Sequence, residues 1–167
     1  MNKDDMERAF QALSETLNRE GHQADIVIAG GAWMALVLGT REVTKDIDAY
    51  LSAPTEPIRQ AVLRVANELD LPQDWLNDGI KGFFYGTPPQ NLWREYPALR
   101  VYAVTADYML AMKVLAARND DQEDTKALIQ ALSITTVTEV LDIVERYIPS
   151  SLLTPKHRYF AESCLDR

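Results

Sequence analysis

IVIAGGAWMALVLGTREVTKDIDAYL, residues 26–51, is the stretch on which the fold turns. With the two residues before it, it opens as a short, apolar, β-branched run that suits a buried strand, and that strand leads straight into Gly30-Gly31. AWMALVLG then reads as a short buried helix closed by Gly39. Next comes an alternation: Ile47, Ala49 and Leu51 face one way, Asp46, Asp48 and Tyr50 the other. Carboxylates at i and i+2 of a strand leave the same face about 7 Å apart at the backbone. Their side chains can converge on one divalent ion, and hard oxygen donors suit magnesium. Glycines between a strand and a helix let the backbone approach a phosphate, which the free N–H groups of the helix start can bind. Together these parts would hold a nucleoside triphosphate with its magnesium, which is what phosphoryl or nucleotidyl transfer requires. Each part alone is common, since an Asp-x-Asp also decorates solvated strand faces and Gly-Gly makes ordinary turns. Their order along the chain carries the expectation.

Upstream, Met6, Phe10, Leu13 and Leu17 recur at helical spacing and Gly21 stops the pattern, so a first helix is expected over about residues 5–20. Downstream, Thr55 and Pro57 mark a helix start and Ile58, Val62, Val65 and Leu69 continue it. LPQDWLNDGIKGFF, 71–84, predicts a short helix and then an irregular stretch, with Trp75 in the core and Asn77 and Asp78 capping a turn or lining a cleft. YGTPPQ is a loop; Tyr85, Trp93 and Tyr96 flank it, as local packing, a lid or a partner surface. LRVYAV, 99–104, is another strand, and Thr105 begins a helix to about Ala117 with Asp107 in its first turn. Further helices are predicted over about 121–132, from the Thr136/Glu139 capping pattern to the turn at Pro149, and after Thr154-Pro155. The fold class is therefore α+β: one domain over 1–167, with a small mixed sheet core over 22–104 and a helical region over 105–167 packed on it.

Lys plus Arg number 17 against 25 Asp plus Glu, a net charge of −8, which works against a broad electrostatic hold on nucleic acid. A tRNA acceptor is then held by a small local patch or not at all. Cys164 is the single cysteine, so an internal disulfide is ruled out and a reducing cytoplasm fits. With His22 and His157 as the two histidines, a zinc site is not expected. MNKDDMERAF has no apolar signal core, and the nearly uncharged run 26–40 is too short to span a membrane.

The stretch from Gly30 to Leu51 resembles the signature of the DNA polymerase beta-type nucleotidyltransferase superfamily, a Gly-Gly or Gly-Ser pair followed by an Asp-x-Asp strand. Its Arg41-x-x-Thr44-x-Asp46-Ile47-Asp48 form is similar to bacterial abortive-infection (AbiEii-like) nucleotidyltransferases, mostly toxins of toxin–antitoxin modules. YAVTADYMLAMKVLAARNDDQEDTKAL, 102–128, resembles a later block of that group, and DWLNDGIKGFF resembles an uncharacterised subgroup. The likeness spans roughly residues 25–148 and implies a minimal nucleotidyltransferase fold. It implies that Gly30 and Gly31 form the phosphate loop and that Asp46 and Asp48 are the magnesium ligands. Arg41 and Thr44 stand beside the nucleotide, with Arg41 meeting a phosphate or bracing Asp48. Lys113 contacts the nucleotide phosphates, and Asp121 or Asp124 orients Lys113 or serves as base. The implied partners are a nucleoside triphosphate, a macromolecular acceptor (tRNA or protein) and a cognate antitoxin or toxin, without a membrane. Two departures stand out. Many active members carry a third carboxylate on a later strand, and LRVYAV offers none; Asp120 stands where an arginine often precedes the last acid. The cluster Asp120, Asp121, Glu123, Asp124 reads equally as a charged helix start. The alternative function is thus a catalytically degenerate binding or antitoxin module.

Overall fold

The strand that leads into the glycines is the centre of the sheet. In a computed structural model describing residues 1–165, β1 (Ala24–Ile28) is flanked on one side by β2 (Ile47–Leu51) and β3 (Leu76–Asn77), and on the other by β5 (Leu99–Val104) and β4 (Gln90–Tyr96). The five-stranded order is β3-β2-β1-β5-β4. β1 is antiparallel to β2, with Ile28 opposite Ala49, and parallel to β5, with Ile28 opposite Ala103. β2 is parallel to β3, which sets Asp48 beside Asn77. A two-residue link, Pro97-Ala98, makes β4 and β5 an antiparallel hairpin, because parallel neighbours need a long crossover. Ile26, Ile28, Ile47, Ala49 and Val101 have no exposed surface, so the apolar half of the predicted alternation is the core of this sheet.

The chain divides into two compact units, residues 1–82 with 90–103, and residues 83–89 with 104 onward. In the first, α1 (Lys3–Arg19) opens on a capping box between Asn2 and Asp5 and buries Met6, Phe10, Leu13 and Leu17. α3 (Thr55–Leu69) buries Ile58, Val62 and Val65, and the two helices pack on each other. Phe10 meets Trp93 and Tyr96 at ring distances of 6.3 and 6.4 Å, and the Ser14 hydroxyl accepts the Ala98 N–H. Trp75 is fully buried as predicted and donates its indole N–H to the Val62 carbonyl at 3.0 Å, which satisfies its one polar atom. Between β1 and β2 lies α2 (Gly30–Trp33), which passes directly into a π-helical turn, Met34–Leu38, ended by Gly39 in the left-handed conformation. Gly30 and Gly31 therefore do not stand between the strand and the helix, where the sequence suggests them. They are its first turn, and Ala29 is the extended residue before it.

The second unit holds α4 (Ala106–Ala116), α5 (Gln122–Ala131), α6 (Val137–Tyr147) and α7 (Pro155–Leu165), with α4 packed on the other three. Thr105 precedes α4 with extended backbone, although its hydroxyl makes no capping bond. Thr136 and Glu139 do form the expected box. His157, buried at the start of α7, accepts the Thr154 N–H on Nδ1, so Nε2 carries the proton and donates to the Leu115 carbonyl at 3.1 Å. This fixes the histidine as a structural residue.

Two expectations need correction. No α-helix forms in 71–84: Pro72, Gly79 and Gly82 interrupt any α-helical face, and the segment instead supplies β3 and then a short 3-10 helix, Gly79–Phe83. A strand over 90–96 was not expected either: Trp93 and Tyr96 lie in β4, an edge strand whose seven positions are all exposed or half-exposed and so show no alternation, and both pack locally on Phe10. The class stands as α+β. Among the described residues no helix is long and apolar enough to cross a membrane.

Candidate functional site

Asp46 is the residue before β2 and Asp48 the second residue of that strand, with buried Ile47 between them. Both carboxylates are half-exposed and share the face that Ile47, Ala49 and Leu51 leave. The Asp48 carbonyl accepts the Ala29 N–H at 3.2 Å, which ties the strand to the start of α2. Gly30 has φ +64, and a Cβ there would stand 3.0 Å from Asp48 Oδ2. A Cβ on Gly31 would stand 2.7 Å from the Thr44 hydroxyl and 3.0 Å from Arg41 Nη1. Three polar groups from the loop after the π turn and from β2 thus close on one turn of backbone, and the missing side chains of two glycines make the room.

Thr44 is 8% exposed and holds that loop in shape. Its hydroxyl donates to the Asp46 carbonyl at 3.0 Å and its N–H to the Met1 carbonyl at 2.9 Å, while the Met1 ammonium donates to the Thr44 carbonyl at 2.6 Å. On the other side, Asn77 of β3 donates its amide to Asp46 Oδ2 at 3.4 Å and accepts the Gly79 N–H at 3.1 Å. The strand beside Asp48 therefore offers an amide, not a third carboxylate. Asp78, the next residue, is paired with Arg59, whose hydrogen bond and charge hold the Asp78 carboxyl below the usual range.

Lys113, Asp121 and Asp124 form a group in the second unit. Ala117 takes a left-handed turn after α4, and the 3-10 turn Asn119–Asp121 then feeds α5. The Lys113 ammonium, with its side chain 10% exposed, pairs with Asp121 and at 2.8 Å with Asp124, whose side chain is 7% exposed. Thr125 donates its hydroxyl to the Asp121 carbonyl at 2.7 Å. The acidic cluster thus splits: Asp120 and Glu123 face solvent, while Asp121 and Asp124 turn inward onto the lysine.

A family model described as a nucleotidyltransferase of unknown function (DUF6036) matches residues 4–151. The chain belongs to this family. Comparison with curated proteins and with solved structures gave no match. The nucleotidyltransferase match runs from α1 to the turn that precedes α7, so the aspartate pair and the Lys113 group both lie inside it. Among the described residues no three His, Cys, Asp or Glu side chains gather as a metal cage. Two carboxylates alone fit magnesium of the kind that arrives with substrate phosphates and keeps several waters.

Asn77 caps the turn at Gly79, one of the two roles the sequence offers it, but its place beside the pair is not readable from the sequence. A strand of two residues has no period to detect, and only its register with β2 places Asn77 beside Asp48. WLND, with one buried Trp and Leu before a polar pair, was the available signal.

Proposed function

We propose that this nucleotidyltransferase-family protein binds a nucleoside triphosphate with magnesium and transfers a nucleotidyl group to a macromolecular acceptor. The observation that carries the proposal is the convergence of Asp48, Thr44 and Arg41 on the Gly30-Gly31 turn, with Asp46 on the same face. Asp46 and Asp48 would hold magnesium, which supplies charge neutralisation on the phosphates. Gly30 and Gly31 bring backbone N–H groups to a phosphate, and Arg41 adds a planar cation beside them. An acceptor hydroxyl forms a bond to the α-phosphorus, the bond to the bridging oxygen breaks, and pyrophosphate leaves while the hydroxyl proton passes to a base or water. Lys113 enters through the family resemblance as a phosphate contact, with Asp121 or Asp124 as its orienting group or the base.

The AbiEii-like resemblance supports a role in a toxin–antitoxin or abortive-infection pair, with a cognate antitoxin or toxin as partner. A net charge of −8 favours a protein acceptor, or a tRNA held by a small patch, over broad nucleic-acid binding. A second reading, a degenerate module that binds nucleotide without turnover, is favoured by the lack of a third carboxylate in LRVYAV, and Asn77 beside Asp48 adds an amide, not an acid. Label transfer from each α-labelled triphosphate to total RNA and to protein, with and without magnesium, separates the two. Transfer lost in the Asp46→Ala/Asp48→Ala variant supports the enzyme; binding without transfer supports the module; neither binding nor transfer overturns both.

A further inference from the structure

The alternation that exposes Asp46 and Asp48 also exposes Tyr50, next but one along β2 and 36% accessible. Its Cα lies about 7 Å beyond that of Asp48 along the same face. The Lys81 ammonium stands 6.0 Å from the centre of the Tyr50 ring. Lys81 is exposed, yet its backbone is tied down. Its N–H donates to the Asp78 carbonyl at 3.1 Å, Asn77 caps Gly79 at the start of the same turn, and Asp78 is anchored to Arg59 on α3. The Asp78 carboxylate is hydrogen-bonded to the Arg59 guanidinium, and Lys81, whose charge also reaches Asp78, is the cation facing the ring. Asn77 joins the two regions directly, since its amide reaches Asp46 while its carbonyl holds the turn that carries Lys81.

We propose that Tyr50 and Lys81 form a nucleotide subsite continuous with the aspartate pair, in which the Tyr50 ring packs on the base or ribose and Lys81 meets a phosphate. The proposal rests on triphosphate binding at Asp46 and Asp48 and adds the residues that recognise the rest of the ligand. Its chemistry is ordinary: an aromatic face takes any base, and a lysine on a short tether serves as a point charge for phosphate. A face bearing two carboxylates also needs added positive charge if it is to hold a polyanion, and Lys81 supplies it beside Arg41. The same subsite chemistry could serve the incoming triphosphate or a nucleotide of an RNA acceptor, and the two are separable by competition.

The test is binding of the four magnesium triphosphates and their nucleosides to the full chain by calorimetry, with Lys81→Gln, Lys81→Arg, Tyr50→Ala and Tyr50→Phe beside the wild type. Circular dichroism checks folding, which both exposed side chains should leave intact. Lys81→Gln is expected to weaken triphosphate about tenfold, the scale of one charged hydrogen bond, and to leave nucleoside binding unchanged. Lys81→Arg should restore most of it. Tyr50→Ala should weaken triphosphate and nucleoside alike by about tenfold, with Tyr50→Phe close to wild type. If instead these variants lose affinity for a short RNA and keep it for triphosphate, the subsite serves the acceptor. Wild-type affinity for both ligand types in all four variants, with binding lost in Asp46→Ala/Asp48→Ala, overturns the subsite and leaves the proposed function standing. A wild type that binds none of the triphosphates overturns both.

Discussion

A methyl group on Gly31 would press on the Thr44 hydroxyl at 2.7 Å and on the Arg41 guanidinium at 3.0 Å, so this position tolerates no side chain while that loop keeps its shape. Gly31→Ala is expected to push Thr44 and Arg41 away, to cost about 1–3 kcal/mol as overpacking, and to weaken triphosphate binding more than it lowers the melting temperature warrants. Thermal melts and binding on the same preparation check this; unchanged affinity would detach the glycine turn from the ligand. Asp48→Asn keeps the shape and removes the charge. It is expected to abolish the magnesium dependence of binding, read by titrating triphosphate with and without the metal. These residues were legible because strand alternation and glycine geometry are local. Asn77 and Lys81 were not, because their place depends on a two-residue strand pairing with β2.

Among elements, α4 and α5 are joined by a buried ion group in which one ammonium serves two carboxylates. Removing the cation leaves Asp121 and Asp124 facing each other at low exposure. Lys113→Met is therefore expected to destabilise the chain by about 3–5 kcal/mol in urea unfolding, the range for breaking a buried pair. A loss under about 1 kcal/mol, the scale of an exposed pair, would show that the group is held for another purpose. At the other end of α4, Asp107 accepts hydrogen bonds from the Tyr147 hydroxyl and the Tyr108 N–H and faces Arg146. Burial alone would raise its pKa, but the hydrogen bonds and the Arg146 charge outweigh it and hold the carboxyl below its ordinary value. A folded-state pKa below the unfolded one means that the contribution to stability is present above the ordinary carboxylate range and is lost as pH falls through the folded value. Melting temperature across acid pH should consequently fall less steeply in Asp107→Asn than in the wild type. The helices themselves were readable from caps and periodicity: Thr55–Leu69, the Thr136/Glu139 box and Thr105 before α4 all fall where the sequence places them. β4 was hidden because an edge strand of seven exposed or half-exposed residues carries neither alternation nor an apolar run.

For the whole chain, the α+β class followed from one apolar strand, one alternating strand and a run of capped helices, and the family match over residues 4–151 agrees with it. The pairing of Asp121 and Asp124 with Lys113 agrees with the family resemblance, whereas the left-handed turn at Ala117 between them carries no sequence signal. Magnesium triphosphate at a hundredfold excess over its dissociation constant should stabilise the chain by about 2.7 kcal/mol, while nucleotide with chelator should not. Transfer of a nucleotidyl group by the aspartate pair and the glycine turn is the proposed reaction. The most direct test is magnesium-dependent incorporation of α-labelled triphosphate into macromolecular acceptor, run with wild type and with Asp46→Ala/Asp48→Ala. Label in the first and none in the second is the expected result. Equal labelling in both, or none in either across all four nucleotides, would contradict it.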